Sequence, residues 1–186
     1  MANFLTSDNH FFHLNVIKYC NRPFSDLSDM NQQMIDRWNS VVQPTDTVYH
    51  LGDFILSNDI RKIDWILNSL NGKIFLVRGN HDKAFLKKLP KCHPDSQSKF
   101  IDIRDYYSTT FQYGLNKYYV VMMHYPILRW DKCHHQSTHL HGHSHNRPVP
   151  PEEYHPRRVN IGVDMFNFYP VELSSLLRSI DKKEQT

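Results

Sequence analysis

The sequence predicts an α/β domain with a mixed sheet or two packed sheets. Three observations carry that expectation. Strand-like and helix-like patterns alternate through the first half, the second half turns mostly to strands, and polar clusters recur where predicted strands end. Phe4-Leu5-Thr6 is a short apolar strand running into Ser7-Asp8. Leu14 to Tyr19 reads as helix, broken at Arg22-Pro23. Leu27, Met30, Met34, Ile35 and Trp38 recur at three- and four-residue intervals, one face of a helix that Asp26 or Ser28 can cap. A turn at Pro44-Thr45-Asp46 precedes the strand Thr47 to Leu51, which ends at Gly52-Asp53. Ile60, Ile63, Ile66, Leu67 and Leu70 form a second amphipathic face stopped by Asn71-Gly72. The strand Lys73 to Arg78 follows and runs into Gly79-Asn80-His81-Asp82. Strand, helix and strand within about 30 residues make a βαβ unit and predict parallel pairing. After a short helix near Ala84 to Lys88 come strands at Lys99 to Ile103, Tyr107 to Tyr113 and Tyr118 to Met123, the last a nearly continuous apolar run that reads as buried. Thr138 to His141 and Arg158 to Val163 are shorter strands, Val171 to Ile180 is a terminal helix, and residues 129–137 and 146–157 are loops.

A chain of 186 residues, 40% hydrophobic and 13% aromatic, suits one domain over residues 1–186 with a substantial core. The net charge of +3 is scattered, and the short clusters Lys87-Lys88 and Arg157-Arg158 read as solvated faces rather than a nucleic-acid stripe. Cys20, Cys92 and Cys133 form no spaced pair and read as free thiols in a reducing compartment. No apolar run approaches the ~20 residues that span a bilayer. The N-terminus lacks a basic region and already enters a polar cluster at Asp8. A soluble cytoplasmic protein without a membrane partner is therefore expected, its oligomeric state left open. Its unusual feature is histidine, 13 residues placed at ordered internal spacings.

Asp8-Asn9-His10, Gly52-Asp53, Gly79-Asn80-His81-Asp82, His124 and Gly142-His143-Ser144-His145 each follow a predicted strand. Loops at the carboxyl ends of strands converge in open α/β sheets, so distant segments can meet there. Carboxylates, an Asn carbonyl and imidazoles without thiolate suit manganese, iron, zinc or nickel better than a structural zinc site. Asp8 and His10, like His143 and His145, lie two apart, and an extended chain would project each pair from one face. Gly79 and Gly142 permit close backbone approach.

These blocks, in this order, resemble the calcineurin-like metallophosphoesterase superfamily, whose motifs read DxH, GD, GNH(D/E), H and GHxH. The resemblance runs from Asp8 to His145, and Asn160 to Asp164 is similar to the segment that closes small bacterial and phage members. It implies a four-layer αββα sandwich, two mixed sheets flanked by helices, with a dinuclear site at one end. Asp8, His10, Asp53 and His145 would hold one divalent cation; Asp53, Asn80, His124 and His143 would hold the other, with Asp53 bridging. Manganese is the expected ion in vitro, with iron, zinc and nickel as alternatives. His81 matches the position that contacts the substrate phosphate and assists the leaving group. Asn80 is an expected substrate contact; Arg78 is a candidate phosphate contact, with a surface ion pair the favoured reading for it; and Asp82 is expected to take a catalytic part by orienting the His81 ring or raising its pKa.

The chemistry so implied is in-line attack on a phosphate ester by a hydroxide bridging the two cations, with no covalent phosphoenzyme. Two divalent cations outweigh two carboxylates and one hydroxide, which leaves the site positive for an anionic substrate. The second block, Gly52-Asp53-Phe54-Ile55-Leu56-Ser57, lacks the Asp-Arg-Gly of the Ser/Thr protein phosphatases and dinucleoside tetraphosphatases. A small phosphodiesterase or phosphatase acting on a nucleotide or similar ester is expected. The alternatives are a nuclease on oligonucleotides and a catalytically silent scaffold. Among the other histidines, His13, His93 and His155 are expected to be surface or simply hydrogen-bonded residues. His50, His139 and His141 are expected to pack structurally beside the ligands, and His134 and His135 are candidates to line the cleft.

Overall fold

Successive residues of the first strands face different cores. In β1 (Asn3–Thr6) Phe4 packs to one side and Leu5 to the other; in β2 (Thr47–His50) Val48 and Tyr49 divide likewise. In β3 (Lys73–Val77) Ile74 and Leu76 face the first core, Phe75 and Val77 the second. A sheet apolar on both faces must be covered on both. The structure, a computed structural model, describes residues 1–184 and shows both covers.

Over one face lie α1 (Leu14–Tyr19), α2 (Leu27–Val41), α3 (Ile60–Ser69) and α4 (Lys83–Leu86). Of the two candidate caps for α2, Asp26 is used: its carboxylate accepts from the Asp29 amide at 2.9 Å. The helix buries Met30, Met34, Ile35 and Trp38, and α3 buries Ile63, Ile66 and Leu67. A further single turn, α5 (Pro94–Gln97), was not anticipated; His93 caps it by accepting from the Asp95 amide.

The first sheet adds β4 (Phe100–Arg104) and, later in the chain, β9 (Val171–Glu172), in the order β4-β3-β2-β1-β9. Its first four strands are parallel, as the βαβ reading of β2-α3-β3 requires, and β9 is antiparallel to β1. The second sheet runs β5 (Tyr106–Tyr113), β6 (Asn116–Met123), β7 (Thr138–His141), β8 (Arg158–Asn160), antiparallel at β5/β6 and parallel thereafter. Between the sheets Leu5, Leu51, Phe75 and Val77 meet Tyr118, Val120, Met122 and Leu140, joined by Leu173, Leu177 and Ile180 of α6 (Leu173–Glu184). Two mixed sheets flanked by helices are thus the fold, as expected.

Two boundaries differ from expectation. Val171 and Glu172 pair with Leu5 and Phe4 before α6 begins, because the first sheet's open edge offers them backbone partners. The strand at Arg158 ends at Asn160, because the chain then crosses to the first sheet: the Val163 amide donates to the Ser7 carbonyl at 3.0 Å. Cys20, Cys92 and Cys133 are free thiols. No helix among the described residues is long and apolar enough to cross a membrane.

Candidate metal centre

Five strand ends reach one place. Thr6, His50 and Leu76 are in register across β1, β2 and β3, and Asp8, Asp53 and Asn80 follow them within a few residues. In the second sheet Met122 pairs with Leu140, and His124 and His143 follow in the same sense. Parallel pairing is what brings these segments together at one end of the sandwich. Cross-links then fix the loops. The Asp8 amide donates to the Gly52 carbonyl and the His10 amide to the Asp53 carbonyl, both at 2.9 Å. The His143 amide donates to the Asp8 carboxylate at 3.0 Å, and the His81 amide to Asp53 Oδ1 at 2.8 Å.

The chain is not extended here, contrary to the expectation for Asp8/His10 and His143/His145. Asp8, His10, Asp53, His143 and His145 all have positive φ, between 50° and 66°. The left-handed region costs a non-glycine residue about 1 kcal/mol or more, and its concentration in candidate ligands marks backbone held in place by its surroundings. The backbone turns at each of these residues and so leaves no room beside them. A Cβ at Gly142 would run into Asp8 Oδ2 and Ser7 Oγ, and one at Gly79 into Asp53 Oδ1.

Two triads result, each with donor atoms within 4.8 Å of one another: Asp8, His10 and His145, and Asp53, His124 and His143. Asp53 Oδ2 stands 3.5 Å from His10 Nε2 and 3.5 Å from His124 Nε2, facing both groups at once. Asn80 Oδ1 lies 3.0 Å from His124 Nε2 and 3.1 Å from His143 Nδ1. Donor atoms sharing a cation at about 2.1 Å sit about 3–3.5 Å apart, which these separations match.

Tautomers and charges agree with that use. The Leu51 carbonyl at 2.8 Å takes the Nδ1–H of His124, leaving its Nε2 lone pair toward Asp53. Among the described residues the buried side-chain nitrogens and oxygens without a hydrogen-bond partner are Thr6 Oγ1 and His10 Nε2. An orphaned imidazole nitrogen aimed at a carboxylate is what a cation ligand leaves when considered alone. Burial drives the His10 imidazole down to about 2, keeping it neutral. Burial opposes ionisation of Asp53, but His124, the His81 amide and His10 together hold its carboxyl well below the usual range. Burial pushes Asp8 up to about 6 against the pull of His124 and His145. Burial also works against charge on His145, yet Asp164, at 2.9 Å from Nδ1, lifts that imidazole to about 10. Cation binding would release this proton. The donor set therefore fits divalent cations.

Around the triads, some expectations change. Asp82 does not reach for the His81 imidazole: Oδ1 accepts from the Phe54 amide and Oδ2 from the Asp53 and Gly79 amides, at 2.7 to 3.0 Å. Its buried carboxylate fastens the Gly-Asp turn to the Gly-Asn-His-Asp turn and orders the backbone there. Arg78 is exposed and forked onto Asp105, the surface ion pair favoured for it, at the edge of the cleft beside Asn80. His81 is exposed, its ring 5.4 Å from that of His10. His13, expected to be a surface or simply hydrogen-bonded residue, is hydrogen-bonded beside the site: its Nδ1 is 3.2 Å from His10 Nδ1 and its ring lies tilted, 6.1 Å from His81. Its spacing three residues after His10 was the available signal. His134 and His135 are exposed in the single 3-10 turn Cys133–His135 between β6 and β7, and His135 lines a cleft with Leu115 and Lys117 away from the triads.

Arg22 and Asp164 were missed as supports. The buried Arg22 guanidinium donates to both Asp164 oxygens, at 2.8 and 3.0 Å, and to the carbonyls of Asp8 and Asn9. Asp164 in turn orients His145. Arg22 gave only a helix-breaking Arg-Pro in the sequence, and no pattern joins it to a carboxylate 142 residues away.

Residues 1–172 match the family described as the calcineurin-like phosphoesterase superfamily domain. An uncharacterized protein of Methanocaldococcus jannaschii is 37% identical over 96% of this chain and 91% of its own length. The gene 66 protein of Mycobacterium phage D29 is 25% identical, covering 90% of each. A crystal structure of a protein of unknown function from Aquifex aeolicus superposes with a TM-score of 0.68 at 23% identity, over 94% of this chain and 97% of that one.

Proposed function

Because the chain belongs to the calcineurin-like phosphoesterase superfamily, for which metal-dependent phosphoester hydrolysis is the general activity, we propose that it is a dinuclear phosphodiesterase or phosphatase acting on a nucleotide or similar small ester. The observation that carries this reading is Asp53 Oδ2, equidistant from His10 Nε2 and His124 Nε2 and so placed to serve two cations. Asp8, His10 and His145 would hold the first with Asp53; Asn80, His124 and His143 would hold the second. Two divalent cations held there would supply Lewis acidity and activate water at neutral pH, manganese being the ion we expect to support activity in vitro.

The chain's own groups do the rest. His81, exposed with its ring 5.4 Å from that of His10, can donate to a phosphoryl oxygen or to the leaving oxygen, and its amide is tied to Asp53, which anchors its backbone beside the triads. The Asn80 amide group faces the same space. Asp82 holds both turns at fixed spacing, and Arg22 with Asp164 keeps His145 aimed at Asp8. Three free thiols favour a reducing, cytoplasmic setting. Metal analysis of protein loaded with manganese should give two ions per chain, and the same preparation should hydrolyse bis(4-nitrophenyl) phosphate or 4-nitrophenyl phosphate. A folded, fully loaded protein inert toward both would overturn the hydrolase reading in favour of a binding scaffold.

A further inference from the structure

Immediately after His81 and Asp82 the chain forms α4, and its placement is over-determined. Asp82 anchors the start, and Phe85 is fully buried with its ring 6.1 Å from Phe54 and 6.3 Å from Phe100. With Phe85 inward, Lys83 and Lys87 are turned outward, one helical turn apart on the same face. Two open clefts meet along them. One, of about 620 Å³, lies between Asn80, Arg78 and Tyr125; the other, of about 500 Å³, lies between Asn80, His81 and Lys88; Lys83 and Lys87 line both. No acidic side chain lines the second cleft, and Asp105, the acid in the first, is already paired to Arg78. Among the described residues none of Lys83, Lys87 and Lys88 has a carboxylate within ion-pair distance.

Like charges one turn apart repel and weaken a helix, and lysines are ordinarily spread over a surface or answered by acids. Here three ammonium groups gather where the cleft opens onto His81 and Asn80. The Lys87-Lys88 pair, which sequence alone assigns to a solvated face, is at the mouth of the candidate centre. Building on the hydrolase reading, we propose that this cleft binds a second, non-reacting phosphate of the substrate, so that the preferred ester carries another phosphate beside the scissile one. Lysines suit that task as point charges that accept a phosphate in several orientations.

Two sources supply such a group, a nucleoside bisphosphate and the neighbouring linkage of a short oligonucleotide, and separate arms distinguish them. Calorimetric binding to metal-free protein is measured with adenosine 3′,5′-bisphosphate against adenosine 5′-monophosphate, and with a trinucleoside diphosphate against a dinucleoside monophosphate. The two-phosphate member of at least one pair should bind about tenfold more tightly, with a steeper salt dependence, and the ratio should collapse in the K83Q/K87Q/K88Q variant. In manganese-loaded protein the kcat/KM ratio for the same pair should fall with it. Whichever pair shows the ratio identifies the source. Equal binding within both pairs, or a ratio untouched by the triple substitution, overturns the subsite. Lysine-dependent binding without turnover of any ester would instead sink the hydrolase reading and leave the subsite standing. The substituted side chains are not buried, and a thermal melt matching wild type confirms that the variant folds.

Discussion

Histidines at the strand ends and histidines within the strands just beneath them differ in one respect. His50 and His139 have both ring nitrogens occupied: His50 bridges the Gly52 amide and Asn9 Oδ1, and His139 donates from Nδ1 to the Val121 carbonyl while Nε2 accepts from the Ile127 amide. His141 binds the Gly142 carbonyl. His10 keeps Nε2 unpartnered, and His124 Nε2, His143 Nδ1 and Asp53 Oδ2 face one another at distances that suit shared ligation better than pairing. Four of the strand-end ligand positions around them also sit on left-handed backbone beside His143, whereas the strand histidines do not. A ring nitrogen facing other donor atoms at ligation distance, on left-handed backbone in His10, His143 and His145 though not in His124, separates a candidate ligand from a packed imidazole. Burial does not, since His10 and His124 are as buried as His50 and His139, whereas His143 is exposed.

The harshest way to break that contrast is at Asp53. Asp53→Asn keeps the shape and removes the charge that both triads share, so bound manganese should fall below one ion per chain and hydrolysis to the uncatalysed background, read by metal analysis and by release of 4-nitrophenol. Retention of two ions would place the cations elsewhere. His81→Ala should act differently: occupancy stays at two ions while kcat drops by about 10²–10⁴-fold, the range expected for a lost proton donor. A parallel loss of metal would make His81 a ligand instead.

How much of this was legible in the sequence follows from what sequence patterns record. Short apolar runs and three-to-four-residue spacings reported β1–β3, α2 and α3, because a strand buried on both faces is apolar throughout and a helix buried on one face repeats at that interval. Asp8, His10, Asp53, Asn80, His124, His143 and His145 were found by type and by their position after strands, and the register of parallel strands does bring them together. Backbone conformation was not readable: nothing in Asp8-Asn9-His10 announces positive φ at both ends. Nor was Asp82, whose neighbour invited a catalytic role when its oxygens serve three amides. Long-range polar pairs such as Arg22 with Asp164 leave no periodic trace, and neither does the exposure of α4's lysines beside the clefts.

Those long-range supports give a smaller, sharper test. Asp164→Asn preserves the packing around Arg22 but replaces the carboxylate that faces His145 Nδ1. Affinity for one of the two cations should weaken by about 10–100-fold, the usual consequence of losing the partner of a ligand imidazole, while the second cation binds as before. Sequential manganese titration should therefore split into two phases in the variant. Uniform weakening of both would mean that Asp164 acts on the fold as a whole.

The strand histidines have their own signature, which is stability rather than activity. Burial takes His139 from an ordinary 6.5 down to about 4, opposed by the Val121 and Tyr125 carbonyls and assisted by Arg158; the ring of His141 lies 5.5 Å away. Between those two pH values the unfolded chain binds the proton and the folded one does not, so stability rises with pH across the window and is lost as pH falls from about 6.5 toward 4. At 1.36 kcal/mol per unit the difference amounts to at most about 3 kcal/mol. His139→Gln can still hydrogen-bond the same carbonyls and cannot titrate, so its urea-unfolding free energy should lose less on going from pH 7 to pH 4.5 than wild type does, whatever its value at pH 7. His141 titrates in both proteins, and loss of the His139 charge beside it lessens its own acid penalty, so both effects flatten the slope in the variant. An identical acid slope in the two would mean that His139 takes up its proton without leaving the fold, and the distinction between packed and ligating imidazoles would then rest on the unpartnered nitrogens alone.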